Sequence, residues 1–153
     1  MRALLQRVSR ASVATGGHQI AAVGPGLLIL LGVGHTDDDA VADGLARRVT
    51  ELRIFADAED RTNRSILDIA GAALVVSQFT LYADTSRGRR PGFTGAAPPD
   101  LADQLYQRFA AALRAAGVAD VQTGSFGSEM AVELVNDGPF TIWLDTDVRA
   151  VSG

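Results

Sequence analysis

Two short stretches carry the side chains best suited to chemistry. Ser77-Gln78-Phe79-Thr80 sets two hydroxyls and a carboxamide around an aromatic ring. At the end of a strand, those groups and the nearby backbone N–H donors form an uncharged cradle for a carbonyl or a ribose. The same four residues equally suit an edge strand with its polar positions turned outward. The second stretch, Asn136-Asp137-Gly138-Pro139, places turn-forming residues between two strand-like runs and reads as a hairpin turn. An X-Pro bond is cis only about one time in twenty.

Other chemistries find little support. The chain has no cysteine, so disulfides, thiolate nucleophiles and cysteine metal sites are excluded. His18 and His35 stand far apart without HExxH spacing, so neither a metal nor another cofactor is expected. His35, at a strand end, fits a surface residue better than a catalytic base. Gly24-Pro25-Gly26 and Gly32-Val33-Gly34 lack both phosphate-loop frames. Gly124-Ser125-Phe126-Gly127 lacks the GxSxG spacing of a nucleophile elbow.

The elements that must position these residues follow from pattern. Ala3 to Thr15 reads as a strand closed by the Gly16-Gly17 hairpin signal, with Gln19 to Val23 returning antiparallel. Gly24-Pro25-Gly26 reads as a second turn, and Leu27 to Val33 as a continuous apolar, central strand, which makes a three-stranded meander. Thr36 and the solvated aspartates 37 to 39 cap a helix whose apolar stripe is Ala42, Leu45, Ala46, Val49 and Leu52. A short strand is expected around Arg53 to Ala56, then a polar loop to Asn63. Ala72 to Leu81 reads as a buried strand turning polar at its end. Asp84 to Pro99 has no apolar period, a loop long enough to suggest function. Asp100 then caps a helix with stripe Leu101, Leu105, Phe109, Ala112 and Leu113, stopped by Gly117. Met130 to Val135 and Phe140 to Leu144 read as two strands around the Asn-Asp-Gly-Pro turn.

The chain of 153 residues has 47% hydrophobic and 21% charged residues, which suits one α/β domain over residues 1–153 and excludes wholesale disorder. The longest early apolar run, Leu27 to Leu31, is too short for a membrane span or signal-peptide core, so a soluble, cytoplasmic protein without a membrane partner is expected. All fourteen basic residues are arginines against eighteen acidic ones, net −4, which does not advertise a nucleic-acid binder, and no DNA partner is expected. Arg87, Arg89 and Arg90 nevertheless fall within four residues of one another.

Ser77-Gln78-Phe79-Thr80-Leu81 and Asn136-Asp137-Gly138-Pro139-Phe140-Thr141 together resemble the paired signatures of the D-aminoacyl-tRNA deacylases. Leu5-Gln6-Arg7-Val8, Ala11-Ser12-Val13, Gly26-Leu27-Leu28, Leu31-Gly32-Val33 and Arg53-Ile54-Phe55 extend the resemblance through the N-terminal half. Arg87-Gly88, Arg90-Pro91, Phe93, Gln122-Thr123-Gly124, Phe126 and Met130 continue it. Three departures from the pattern span four positions: Gly92 replaces serine, Gly127-Ser128 replaces alanines, and Phe140 replaces valine. The last two lie beside expected contact residues and bear on fine specificity.

The resemblance implies a barrel-like core of mostly antiparallel strands with two main helices. It implies a homodimer that hydrolyses the ester between a D-amino acid, or glycine, and the terminal adenosine of tRNA while rejecting L-aminoacyl-tRNA. Ser77, Gln78, Phe79 and Thr80 would form the catalytic strand. Gly138-Pro139, cis in the family, would enter the partner subunit's site and exclude L side chains, oriented by Arg7 and Asn136. Phe126 and Met130 would wall the adenosine pocket. Two other classes remain open: a non-catalytic tRNA-binding module, and a small-substrate esterase using Thr80 directly.

Overall fold

The computed structural model describes residues 1–148. Strand β1 (Arg2–Thr15) is the axis of the sheet. Its neighbours are β2 (His18–Val23), β3 (Gly26–Gly32) and β8 (Ala131–Asp145), all antiparallel to it. Helix α1 (Asp39–Glu51) follows β3, then the small pair β4 (Phe55–Ala56) and β5 (Thr62–Arg64). Strand β6 (Ala72–Ser77) lies parallel to β3, and β7 (Asp120–Thr123) parallel to β6. Helix α2 (Pro99–Ala115) connects β6 to β7. The expected two helices and barrel-like strand arrangement are present, in a mixed sheet ordered β2-β1-β3-β6-β7 with β8 on the free edge of β1.

Two expected turns are not turns. Ala11 faces Val23 and Val8 faces Gly26, three residues back on β1 and three forward on the partner, so β2 and β3 share one antiparallel register along one edge of β1. Gly24-Pro25 interrupts this strand without reversing it, and no meander forms. Pro25 has no N–H for the ladder, but its carbonyl accepts from Ala72 N–H at 3.0 Å. Gly26 is obligatory there, because an added Cβ would stand 1.8 Å from the Ala72 carbonyl oxygen.

Likewise, Asn136-Asp137-Gly138-Pro139 does not close a hairpin. Gln6 faces Thr141 and Val8 faces Asn136, so the register advances two residues on β1 against five on β8. The extra residues leave the ladder as a bulge within a single strand that continues along β1 to Arg2 opposite Asp145. Turn chemistry suits both outcomes, since each requires residues that forgo ladder pairing.

Alternation explains the unbroken apolar runs. Leu27, Ile29, Leu31, Ala73 and Val75 face the larger core with the helices, while Leu28, Leu74 and Val76 join Val8, Val13 and Val23 in a second core. A strand buried on both faces needs no polar phase. On α1, Ala42, Leu45, Ala46 and Val49 are buried against Leu105, Tyr106, Phe109 and Leu113 of α2. Arg108 bridges Asp39 and Asp43 across the two helices.

The aspartate run divides its labour. Asp38 is the N-cap and accepts from Val41 N–H. Asp37, expected in solvent, is buried beside the Met1 ammonium at 2.6 Å and also accepts from Gly34 N–H. Helix α2 starts at Pro99 rather than after a capping Asp100, which lies in its first turn. Proline suits that position because the first helical N–H has no partner to lose.

Candidate functional site

Strand β6 ends at Ser77, and the chain turns sharply there. Gln78 N–H still donates to Leu31 O at 2.8 Å, but Phe79–Tyr82 form a 3₁₀ turn instead of continuing the strand. The edge-strand alternative for these residues does not hold: β6 is the expected buried strand, flanked by β3 and β7, and its polar end opens on a cavity. No side chain caps the turn. Neither the Phe79 nor the Thr80 N–H has a hydrogen-bond partner among the described residues. Two backbone donors and the half-buried Ser77 hydroxyl thus stand together, as acceptor-directed groups should at a carbonyl site.

The cavity measures about 670 Å³, within the range of small-molecule sites. Ser77, Gln78 and Phe79 form one side, Phe126 and Met130 another, and Phe93, Ala96 and Pro99 the roof. Thr80 lies just outside this lining; its hydroxyl accepts from Gln78 Nε2. An amide donor cannot take a proton from Thr80, so among the described residues the hydroxyl has no hydrogen-bonded base to make it a nucleophile. It keeps its own proton free to donate.

Supporting contacts set the walls. Arg2 donates to Leu81 O and to the Asp145 carboxylate, both at 3.0 Å, and its guanidinium covers the Tyr82 ring at 4.3 Å. The 3₁₀ turn is thereby fixed to β1 and β8. Tyr106 donates to Val75 O at 2.9 Å, and its ring lies 5.9 Å from that of Phe126. Burial pushes both tyrosine hydroxyls above the ordinary phenol range, Tyr82 with help from Asp37. Both stay protonated across the working pH range, and the Tyr106 hydroxyl is the one that donates.

Phe126 packs on the larger core and Met130 on the second, so each is at once core and cavity wall. The substituted Ser128 lines the rim, with its hydroxyl 2.9 Å from that of Ser125. Phe93 is the residue that composition could not place. Its ring meets Phe79 edge-on at 5.1 Å, which lays the long loop across the cavity mouth. Apart from its place in the family resemblance, the signal for it was an aromatic inside an unusually long loop. His35 is exposed, as expected, and its Nε2 donates to Thr94 O at 2.6 Å, which secures this roof.

Arg7, Asn136, Gly138 and Pro139 form a separate cluster. Arg7 donates to Ile54 O at 2.6 Å, to Asp137 O at 3.1 Å and to Gly138 O at 3.1 Å. Its guanidinium also lies 4.6 Å from the Phe140 ring centre. Asn136 Nδ2 donates to Arg7 O and Phe140 O, closing the bulge from its other side. The Gly138-Pro139 bond is cis, and both residues are exposed. None of the four lines this chain's own cavity. Among the described residues, no cluster of three or more His, Asp or Glu is placed to hold a metal.

A family profile described as D-Tyr-tRNA(Tyr) deacylase matches residues 4–145. The D-aminoacyl-tRNA deacylase of Roseiflexus sp. (strain RS-1) is 61% identical over 97% of this chain and 95% of its own length. That of Paracoccus denitrificans (strain Pd 1222) is 57% identical over 98% of this chain and 100% of its own. A solved structure described as c-Myc DNA Unwinding Element Binding Protein superposes with a TM-score of 0.90 at 38% identity, covering 95% of this chain and 99% of that one. A probable eukaryotic D-amino acid tRNA deacylase shares the fold at a TM-score of 0.81 and 18% identity, over 94% of this chain and 97% of that one. With the match running from β1 to the end of β8, the chain belongs to the D-Tyr-tRNA(Tyr) deacylase family.

Proposed function

We propose that this protein hydrolyses the ester of D-aminoacyl-tRNA to free D-amino acid and tRNA, and leaves L-aminoacyl-tRNA intact. The observation that carries the reading is the pair of unpartnered N–H groups at Phe79 and Thr80, at the mouth of a cavity walled by Phe126 and Met130. The ester carbonyl sits against those donors, and the terminal adenine packs against the aromatic ring and the thioether. The ester is already activated by its ribose. One well-placed oxyanion donor is worth about 10²–10³ in rate, so donors plus an oriented water suffice without a protein nucleophile. The substrate's own 2′-hydroxyl assists that water.

Selection against L-residues falls to Gly138 and Pro139, which protrude from their own chain and are clamped by Arg7. In a homodimer they enter the partner's cavity and bring backbone against the substrate Cα, where a hydrogen fits and an L side chain does not. Glycyl-tRNA, with no side chain, is accepted for the same reason. The unit is the single domain 1–153, working in the cytoplasm; among the described residues no helix is long and apolar enough to cross a membrane.

The test is deacylation of matched D-tyrosyl-, L-tyrosyl- and glycyl-tRNA, with mass by light scattering. D and glycyl esters should be cleaved and L spared, by a dimer. Thr80→Ala should keep substantial activity, whereas a 2′-deoxy terminal adenosine should abolish it. A dead Thr80→Ala with an active deoxy substrate would establish a threonine esterase instead. Equal rates on both enantiomers, or a fully selective monomer, would refute the role of Gly138-Pro139.

A further inference from the structure

Three arginines remain unexplained by the site so far. The segment between the 3₁₀ turn and α2 is pinched where Asp84 and Gly92 exchange N–H···O bonds of 2.7 and 2.9 Å. Residues 85–91 project beyond the pinch as a tip carrying Arg87, Arg89 and Arg90, all exposed. Gly88, at φ +81°, makes the reversal in the middle of the tip. Asp84, the carboxylate nearest in sequence, is occupied inside the loop. It accepts from Ser86 N–H at 2.9 Å, and its contacts with Ser86 hold its carboxyl below the usual range.

None of the three guanidiniums has an ion pair or hydrogen bond among the described residues. Arg2, Arg7, Arg61 and Arg108 are paired with carboxylates, and Arg53, Arg64 and Arg114 donate to backbone carbonyls, while the other unpaired arginines among the described residues, Arg10, Arg47 and Arg48, lie on β1 and α1. Three adjacent, unpaired cations are conspicuous in a chain of net charge −4. They repel one another, which a solvated surface tolerates but does not require. Their position gives them a use: Phe93, in the cavity roof against Phe79, follows Arg90 by three residues. At 3.8 Å per residue, Arg90 Cα stands within about 11 Å of Phe93 Cα.

We propose that Arg87, Arg89 and Arg90 form a phosphate-binding edge of the site, gripping the acceptor strand of tRNA just inward of its terminal adenosine. This rests on the D-aminoacyl-tRNA reading above. Planar guanidiniums suit phosphate oxygens bidentately, and a single strand leaving the cavity beneath Phe93 passes the tip first. The edge supplies affinity without base recognition, so it serves tRNAs of any sequence. It also lets a protein of negative net charge hold a polyanion, by placing three free positive charges beside the cavity mouth.

The experiment compares wild type with the triple variant R87A/R89A/R90A on two substrates. One is D-tyrosyl-tRNA; the other is D-tyrosyl-adenosine, which has the ester and adenosine but no phosphate. On D-tyrosyl-tRNA the variant should show a KM raised at least tenfold. Its slope of log kcat/KM against log salt should be shallower by about two, at roughly 0.7 for each single-strand phosphate that the arginines no longer neutralise. On D-tyrosyl-adenosine the two proteins should agree within twofold, and the triple lysine variant should recover most of the tRNA effect. Unchanged KM and salt slope on tRNA would overturn the proposal, as would an equal loss on both substrates. If wild type cleaves no D-aminoacyl-tRNA, the functional reading itself falls. Fluorescence anisotropy with deacylated tRNA then decides the arginine edge separately, weaker binding by the variant supporting it and equal binding refuting it.

Discussion

Replacing Arg7 by alanine removes the clamp on the Gly138-Pro139 bulge, and the structure sets the size of the loss. Three carbonyls, those of Ile54, Asp137 and Gly138, each lose a charged donor, and the Phe140 ring loses its cation. Hydrogen bonds to charged groups contribute about 1.5–3 kcal/mol when well shielded, and an exposed cation–π contact about 0.5–1 kcal/mol. The Arg7 side chain is only 12% exposed, but Asp137 is 58% exposed, so the ion pair with its carboxylate adds little. Only the Ile54 contact is partly buried; the Asp137 and Gly138 contacts face solvent. Counting about 1.5 kcal/mol for the shielded Ile54 bond, and about 0.5 kcal/mol for each of the two solvent-facing bonds and for the cation–π contact, gives a total of about 3 kcal/mol. At 2–4 °C per kcal/mol for a domain of this size, Tm should fall by about 6–12 °C. Arg7→Lys keeps the charge but cannot span three diverging carbonyls, so it should recover less than half of the loss. Arg10, exposed and without an ion pair among the described residues, is the control, and Arg10→Ala should stay within about 0.5 kcal/mol of wild type. Urea unfolding gives the stabilities, and paired D- and L-tyrosyl-tRNA assays on the folded variants give selectivity, which Arg7→Ala should lower more than it lowers the rate on the D ester. An Arg7→Ala protein with unchanged Tm and full discrimination would show that the guanidinium is a surface ornament and the clamp argument wrong.

Gly26→Ala should fail to yield a native fold, because its Cβ would collide with backbone at Ala72, where no side chain can yield; a circular dichroism melt like that of wild type would refute this. Asp57 accepts from Asn63 Nδ2 and from the Arg61 and Glu59 N–H groups, contacts that lower its carboxyl pKa below 3.8, the Asn63 bond foremost. A depressed folded-state pKa contributes stability above the unfolded value and loses it as pH falls through the folded one. Asp57→Asn should therefore be less stable than wild type at pH 7, with the gap closing below pH 3.8, as read from urea midpoints across that range.

Elements whose burial follows a local period are legible from residues alone. Strand β3 announces itself because both faces are buried, and the helices because only one is. The 3₁₀ turn at Phe79–Tyr82 is not legible, since its apolar residues extend the β6 pattern without a break. The bulge in β8 reads as a hairpin because the distinction lies in β1, more than 120 residues away. Asp37 resembles its two neighbours in the run until the chain brings Met1 against it. In the site, the hydroxyls and carboxamide of Ser77, Gln78 and Thr80 follow from residue type, whereas the free N–H groups of Phe79 and Thr80 depend on the 3₁₀ turn. The clustering of Phe126 with Met130, and of Arg7 with Gly138, rests on family resemblance. The roof formed by Phe93 depends on how an irregular loop lies, which no periodicity encodes.

The long pairing of β1 with β8 bears on how the chain is made. Arg2 meets Asp145, so one edge of an early-synthesised strand waits for almost the last strand to emerge. Pairings this remote in sequence delay folding, because loop closure precedes any gain from the contact. Until then β1 can be covered on one side only, by β2 and β3, and presents an open row of backbone donors and acceptors to other nascent chains. Once β8 docks, both edges of β1 are sealed, and the segment near the amino terminus becomes the slowest to exchange its amide hydrogens rather than the first to fray.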